Sequence, residues 1–186
     1  MQPLASEAAP DCGSSGLVVV SVVSHGHKHQ VQGLLNDLVR FSRGRISRVV
    51  LTLNQPEAAP QPPAAGWPFA LHIVRNIRPL GFGANHNRAL SGAGEPFVCV
   101  LNPDVRWDGC DPLEAMVQAA AQPGVGCSYP VQIDNVGCWQ DSARALPTPA
   151  ALFRRRVLGQ REARVDWVNA ACLVLPQPVW QRLQGF

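Results

Sequence analysis

The apolar residues of this chain fall into short blocks with two different spacings. Leu17 to Ser24 is a continuous, largely β-branched run, as a strand buried on both faces requires. Val31, Leu34, Leu35, Leu38 and Val39 then recur at i, i+3, i+4, i+7 and i+8, the apolar stripe of a helix. That helix should stop near Ser42-Arg43-Gly44. Ile46 to Leu53 reads as a second strand. Gln55 to Pro68, with five prolines in fourteen residues, reads as a surface loop. Phe69 to Val74 and Phe97 to Leu101 read as the third and fourth strands, with a short helix over Ala84 to Ser91 between them. Asp111-Pro112-Leu113-Glu114 opens a later helix: Asp111 as N-cap, Pro112 in the first turn, Glu114 at the capping-box position. It should run through Gln122 and end at Pro123-Gly124. Gly126 to Ile133 and Trp167 to Leu175 suggest further strands, joined by a polar connection holding Arg154, Arg155 and Arg156, and Pro178 to Leu183 starts a helix. Strand and helix in alternation predict an α/β domain around a mainly parallel sheet.

Composition narrows this picture. A length of 186 residues with 46% hydrophobic content suits one domain with a real core. That domain is expected over residues 17–186, preceded by a flexible tail over 1–16. Sixteen basic against 13 acidic residues, net +3, lack the density of a nucleic-acid-binding face, so no nucleic-acid partner is expected. The longest apolar run, Leu17 to Val23, is far short of the ~20 residues that span a bilayer. The N-terminus is polar and acidic with no basic start, unlike a signal peptide. These features read as a soluble, cytoplasmic chain, with peripheral work at the inner face of the cell membrane left open. No Cys-x-x-Cys pair occurs among the six cysteines, which read as buried reduced thiols.

In a parallel sheet, ligands bind beyond the carboxyl ends of the strands. The residues there are Ser24-His25-Gly26, Asn54, Asn76 to Asn87, and Asn102-Pro103-Asp104. They are polar with little charge, which suits a ligand held by hydrogen bonds and one metal-binding carboxylate. Asp104, directly after a buried strand, could hold Mg²⁺ or Mn²⁺, which take one or two carboxylates plus substrate phosphates. The same Asn-Pro-Asp is also ordinary turn chemistry. Gly81 and Gly83 would permit close backbone approach, and Asn85 and Asn87 would supply neutral donors and acceptors. A glycine turn leading into a short helix explains that loop equally well. It only superficially resembles a dinucleotide fingerprint, because His86 occupies the third glycine position. The alternating His25, His27 and His29 read as a solvated loop rather than a metal site, with His25 set apart by its place at the mouth of the first strand.

These elements, in this order and at these intervals, resemble the family 2 glycosyltransferases of the GT-A fold. The closest likeness is to the rhamnosyltransferase-like branch that builds bacterial surface polysaccharides. Val22-Val23-Ser24-His25 corresponds to the family's Val-Ser-Tyr-Asn strand end, with His25 and Gly26 as departures. Pro79 to Asn87 is similar to its Asn/Gly-rich nucleotide-sugar loop, and Leu101 to Val105 to its Asn-Pro-Asp variant of the Asp-x-Asp motif. Asp141-Ser142-Ala143-Arg144 and Asp166 to Ala171 fit later stretches, so the likeness spans roughly 17–186. Where the family has Val-Asp-Asn, with the Asp on the nucleotide base, this chain has Thr52-Leu53-Asn54. Glu57 is the nearby acid that could take that place.

The resemblance implies a nucleotide-diphospho-sugar transferase with a Rossmann-like sheet flanked by helices. Such an enzyme transfers a sugar, a deoxyhexose such as rhamnose from a dTDP donor, to a carbohydrate or lipid-linked acceptor with inversion. Ser24, His25 and Asn54 would line the base and ribose side. Gly81, Gly83, Asn85 and Asn87 would approach the donor, and Asp104 would hold Mg²⁺ or Mn²⁺ with Asn102 beside it. Leu183 to Phe186 resembles the Gly-Gly-Phe that precedes the family's base-bearing segment, so the base is expected after Phe186 and the domain is expected to be C-terminally incomplete. The alternatives are an inactive nucleotide-sugar-binding remnant of the same fold, and a nucleotidyltransferase. The latter is disfavoured because Ser24 to His29 holds a single Gly and a single Lys.

Overall fold

The computed structural model describes residues 16–42, 44–107, 109–134, 136–140, 143–144 and 167–186. Of the tail expected over 1–16, Gly16 alone is described, and it is packed against Ile46 and Ser47 rather than free; residues 1–15, the Arg154–Arg156 connection, Asp141, Ser142 and Asp166 lie outside the described residues. Strands β1 (Val18–Ser24), β2 (Ile46–Leu53), β3 (Ala70–Arg75), β4 (Phe97–Leu101) and β9 (Cys172–Pro176) form one sheet in the order β3-β2-β1-β4-β9. β1 pairs parallel with β2 and β4, β2 parallel with β3, and β9 runs antiparallel to β4. The expected α/β architecture with a mainly parallel sheet is therefore present.

The central position of β1 explains its composition. Val18, Val20 and Val22 enter one apolar cluster, whereas Val19 enters another on the opposite face. Helix α1 (Lys28–Phe41) covers the first face with Val31, Leu34, Leu35 and Leu38, joined by Leu113 and Met116 of α3 (Pro112–Ala120). Helix α2 (Phe82–Ala89) and helix α4 (Gln177–Leu183) cover the second, where Ala89, Leu90 and Trp180 meet Val50, Val98 and Leu173. Each fully buried Val or Leu contributes about 1.5–3 kcal/mol, so both helical layers are anchored by the sheet they cover.

Asp111 caps α3 as expected, its Oδ1 accepting from the Leu113 N–H at 3.0 Å. Glu114 does not complete a capping box; its carboxylate pairs with Arg45, which also reaches Asp111 Oδ2 at 3.1 Å. Two expected strands are broken. Between Gly126 and Ile133, Ser128 makes one bridge to Val174, and only Gln132–Ile133 (β5) pairs, with Trp139–Gln140 (β6). Pro130, with no N–H to donate, interrupts the run. The Trp167 to Leu175 stretch divides into Trp167–Val168 (β8), paired with Ala143–Arg144 (β7), and the separate β9. Between them Asn169 Oδ1 accepts the Ala171 N–H at 2.8 Å, a side-chain turn that ends the extended run.

The thiols also divide. Cys99 and Cys172 are buried, and hydrogen bonding with Cys172, reinforced by burial, pushes the Cys99 thiol up. Cys110 and Cys138 are exposed, contrary to a uniformly buried set.

Candidate functional site

Because β1 to β4 run parallel, their carboxyl ends share one edge, and the pairing sets those ends side by side. Ser24 is opposite Leu53, Leu53 opposite Arg75, and Val22 opposite Leu101. The next residues out on β1, β2 and β3, His25, Asn54 and Asn76, therefore stand in a row, and Asn102 follows β4 at the level of Val23. Backbone bonds continue the ladder for one step, from Asn54 N to Ser24 O at 2.8 Å and from Asn76 N to Leu53 O at 3.0 Å.

Above this row lies an open cleft of about 390 Å³, within the range of small-ligand sites. Five of the expected residues line it: His25, Asn54, Asn85, Asn102 and Asp104. They are joined by His27 and Gln30 at the start of α1 and by Leu80 and Phe82 at the start of α2.

One wall is the loop from Asn76 to Gly81, held by amides. Asn54 Oδ1 accepts from the Leu80 N–H at 2.8 Å, and Asn54 Nδ2 donates to the Leu80 carbonyl at 3.0 Å. Asn85 Nδ2 donates to the same carbonyl at 3.0 Å. Asn54 Nδ2 also lies 3.0 Å from His25 Nδ1, and Gln55 Nε2 lies 2.6 Å from His25 Nε2, so the ring is gripped between two side-chain amides. Gly26, at φ +84°, makes the turn out of β1 that an L side chain would strain.

The other wall is the loop from Asn102 to Trp107. It is tied to α1 by Asp37, a buried carboxylate that accepts from Arg106 Nε at 2.7 Å, Arg106 Nη2 at 3.0 Å and the Trp107 N–H at 3.3 Å. Asp104 projects from this loop, exposed, and has no hydrogen-bond or ion-pair partner among the described residues.

No protein-family model matches the chain. It is 28% identical, over 137 aligned positions covering 58% of its length and 44% of the other's, to N-acetylglucosaminyl-diphospho-decaprenol L-rhamnosyltransferase of Mycobacterium tuberculosis strains CDC 1551 / Oshkosh and ATCC 25618 / H37Rv. It is 30% identical, over 62% of its length and 14% of the other's, to an uncharacterized protein of Sinorhizobium fredii (strain NBRC 101917 / NGR234). Among solved structures, the mannosyltransferase PcManGT from Pyrobaculum calidifontis, in complex with GDP-Man and Mn²⁺, matches with a TM-score of 0.62 at 18% identity. That match covers 97% of this chain and 50% of the mannosyltransferase. The chain has the GT-A fold. It spans about half the length of the rhamnosyltransferase and of the mannosyltransferase that it matches, 44% and 50% respectively.

Within this GT-A fold, four expected site residues are not brought to the cleft surface. Ser24 is fully buried, and its hydroxyl accepts the His27 N–H at 3.1 Å. Gly83 faces Phe186: a Cβ there would lie 2.9 Å from the Phe186 Cβ, so its smallness accommodates that side chain. Asn87 is engaged with the Phe186 backbone, accepting its N–H at 2.9 Å and donating to its carbonyl at 3.1 Å. Gly81 is the N-cap of α2 in ordinary extended backbone; space beside it is open, but it is not among the lining residues. Glu57 is oriented by the Gly26 N–H, 3.4 Å from its Oε1, and its Oε2 is buried with no hydrogen-bond partner among the described residues. Leu53, in the position where an acid was sought, is buried in the core.

Two residues were not singled out from sequence. Asp37 looked like one more polar position of an amphipathic helix, although it lies beside Leu34 and Leu38 on the buried arc. Asn76 was visible as a strand-end asparagine, but its part in joining Asn54 to Asn85 depends on β2 and β3 being neighbours.

His86 has another role. It lies fully buried behind the amide wall, with Nδ1 2.8 Å from Ser21 Oγ and its ring against Phe82. Burial pushes its pKa down to about 4, so it is a neutral structural imidazole at pH 7.

A divalent cation can be tested against the donor set. Among the described residues no three His, Cys, Asp or Glu side chains cluster as a cage. A carboxylate with no partner among the described residues, lining one cleft with Asn102, fits a Mg²⁺ or Mn²⁺ that takes its remaining ligands from substrate phosphates, and does not fit a metal held by protein alone.

Proposed function

We propose that the chain forms the nucleotide-sugar-binding part of a family 2-like glycosyltransferase. Its donor would be a nucleoside-diphosphate deoxyhexose, dTDP-rhamnose by the rhamnosyltransferase likeness, and its acceptor a carbohydrate or lipid-linked sugar of polysaccharide assembly. The observation that carries this reading is the meeting of His25, Asn102 and Asp104, which has no partner among the described residues, in one cleft with the Leu80–Phe82 lip, on a GT-A sheet.

Asp104 and Asn102 would hold Mg²⁺ or Mn²⁺, and the bound metal would neutralise the diphosphate leaving group. His25 and Gln30 offer polar groups to the nucleoside, and Phe82 offers an apolar face. Inverting displacement also needs a base for the acceptor hydroxyl. Asp104 is the single carboxylate among the described lining residues and is committed to the metal in this reading. Donor binding is accordingly the activity assigned to the described residues. No helix among them is long and apolar enough to cross a membrane.

Calorimetry with dTDP-rhamnose and GDP-mannose, each with and without Mn²⁺, tests the proposal. Asp104→Ala should abolish metal-dependent binding. Unchanged binding in that variant would sink the assignment.

A further inference from the structure

Asn54 follows β2, Asn76 follows β3 and Asn85 sits in α2, yet their side-chain amides meet at one place. A primary amide has two N–H donors and a carbonyl oxygen with two lone pairs. Asn54 uses all four: its oxygen accepts from the Leu80 N–H and Asn76 Nδ2, and its nitrogen donates to the Leu80 carbonyl and faces His25 Nδ1. Asn76 spends both N–H groups, on Asn54 Oδ1 at 2.8 Å and Asn85 Oδ1 at 2.7 Å, and its oxygen lies 3.3 Å from Arg88 Nη1. The orientation of every amide follows from one backbone group. The Leu80 N–H can only donate, so Asn54 must turn its oxygen to it. Asn76 must then offer nitrogen to that oxygen, and Asn85 must offer oxygen to Asn76.

Both polar groups of the Leu80 peptide are thus held by side chains, and Asn54 has no bond left for a ligand. We propose, resting on the donor-binding reading above, that Asn76 is a positioning residue for the donor site. It does not line the cleft. It locks Asn54 and Asn85 onto the Leu80 peptide, so that Leu80 and Phe82 form a lip set before the donor arrives. Asn54 and Asn85 then act as the frame of the site rather than as donor contacts. Preorganisation of this kind lowers the ordering cost of binding.

Asn76→Asp tests it, because the side chain keeps its size but loses both donors and sets a carboxylate against two amide oxygens. Affinity for dTDP-rhamnose or GDP-mannose with Mn²⁺ should fall by on the order of tenfold. Exchange of the Leu80 amide hydrogen should quicken by a similar factor, while exchange at Val20 and Val49 in the core should not change. Relative to the native chain, the loss should shrink as pH is lowered and the introduced carboxyl regains one donor. Asn76→Ser, which keeps a single donor, should give a smaller loss and covers a failure of the first variant to fold. Ile77→Ala, next in sequence with a fully exposed side chain, should alter neither readout.

Faster Leu80 exchange with unchanged donor affinity would reduce Asn76 to a structural residue and overturn the proposal. So would native affinity with native exchange. If the native chain binds neither nucleotide sugar, the donor reading fails and the positioning role falls with it. That outcome is distinct from binding that survives the substitution.

Discussion

The two walls of the cleft solve one problem, fixing a loop at a strand end, with opposite chemistry. The lip at Leu80 is held by neutral amides from Asn54, Asn76 and Asn85, whereas the loop bearing Asp104 is held by the Asp37–Arg106 ion pair and the Trp107 N–H. Amides fix orientation because each has a defined donor end and acceptor end, and they are indifferent to salt. The ion pair is stronger per bond, but the Arg106 side chain is 61% exposed, so solvent screens it. Under the proposed reading, the uncharged wall would face the nucleoside, and the wall set by charge would face the metal and diphosphate.

Acid should separate them most. The pKa of His86, behind the amide wall, is depressed from 6.5 to about 4. Between those values the unfolded chain binds a proton that the folded chain refuses, so stability is full above pH 6.5 and is lost as pH falls towards 4. The loss is about 3 kcal/mol if the whole shift is realised. Thermal unfolding across that window should show the slope, and His86→Asn should flatten it. A second loss lies lower, as pH falls from 4.5 towards 2: hydrogen bonding to Arg48 holds the Glu95 carboxyl at about 2, against desolvation. Glu95 pairs with Ser47 and Arg48 of β2, so that loss belongs to the sheet rather than to either wall.

Next in size is the amide wall itself. Asn85→Ala would strand one Asn76 N–H and free the α2 end of the network, at a cost of about 1–3 kcal/mol by denaturant unfolding. Its effect should not change between low and high salt. On the other wall, Arg106→Ala should cost about 1–2 kcal/mol, because it leaves the buried Asp37 carboxylate with the Trp107 N–H alone. That effect should shrink in high salt, where the native pair is already weakened. Equal salt dependence in the two variants would erase the contrast drawn between the walls. The smallest effect is expected from Glu114→Gln, because Glu114 is exposed and its pairing with Arg45 is worth only tenths of a kcal/mol.

How far the sequence could be read depended on whether a residue's role is local. β1, β2 and β4 were legible because a strand buried on both faces is mostly apolar, and α1 because its stripe repeats every turn. Asn102 and Asp104 were legible because a loop directly after such a strand has one place to go. The contacts of Gly83 and Asn87 with Phe186 were not legible because Phe186 lies about a hundred residues away, and nothing at positions 83 or 87 announces it. Asp37 was hidden for the same reason, its partner Arg106 being 69 residues further on. Ser24 was placed correctly at the strand end but one residue too deep, since the chain turns outward only at His25.

Paramagnetic broadening by Mn²⁺ in a ¹H–¹⁵N spectrum locates the metal and its dependence on the donor together. Mn²⁺ alone should give weak, diffuse effects, because the described residues offer it one free carboxylate at the cleft. With dTDP-rhamnose or GDP-mannose present, broadening should concentrate on Asn102, Asp104 and Val105 and extend to His25, and Asp104→Ala should remove it. Broadening centred away from the 102–105 loop, or a strong site for Mn²⁺ that ignores the nucleotide, would contradict the assignment.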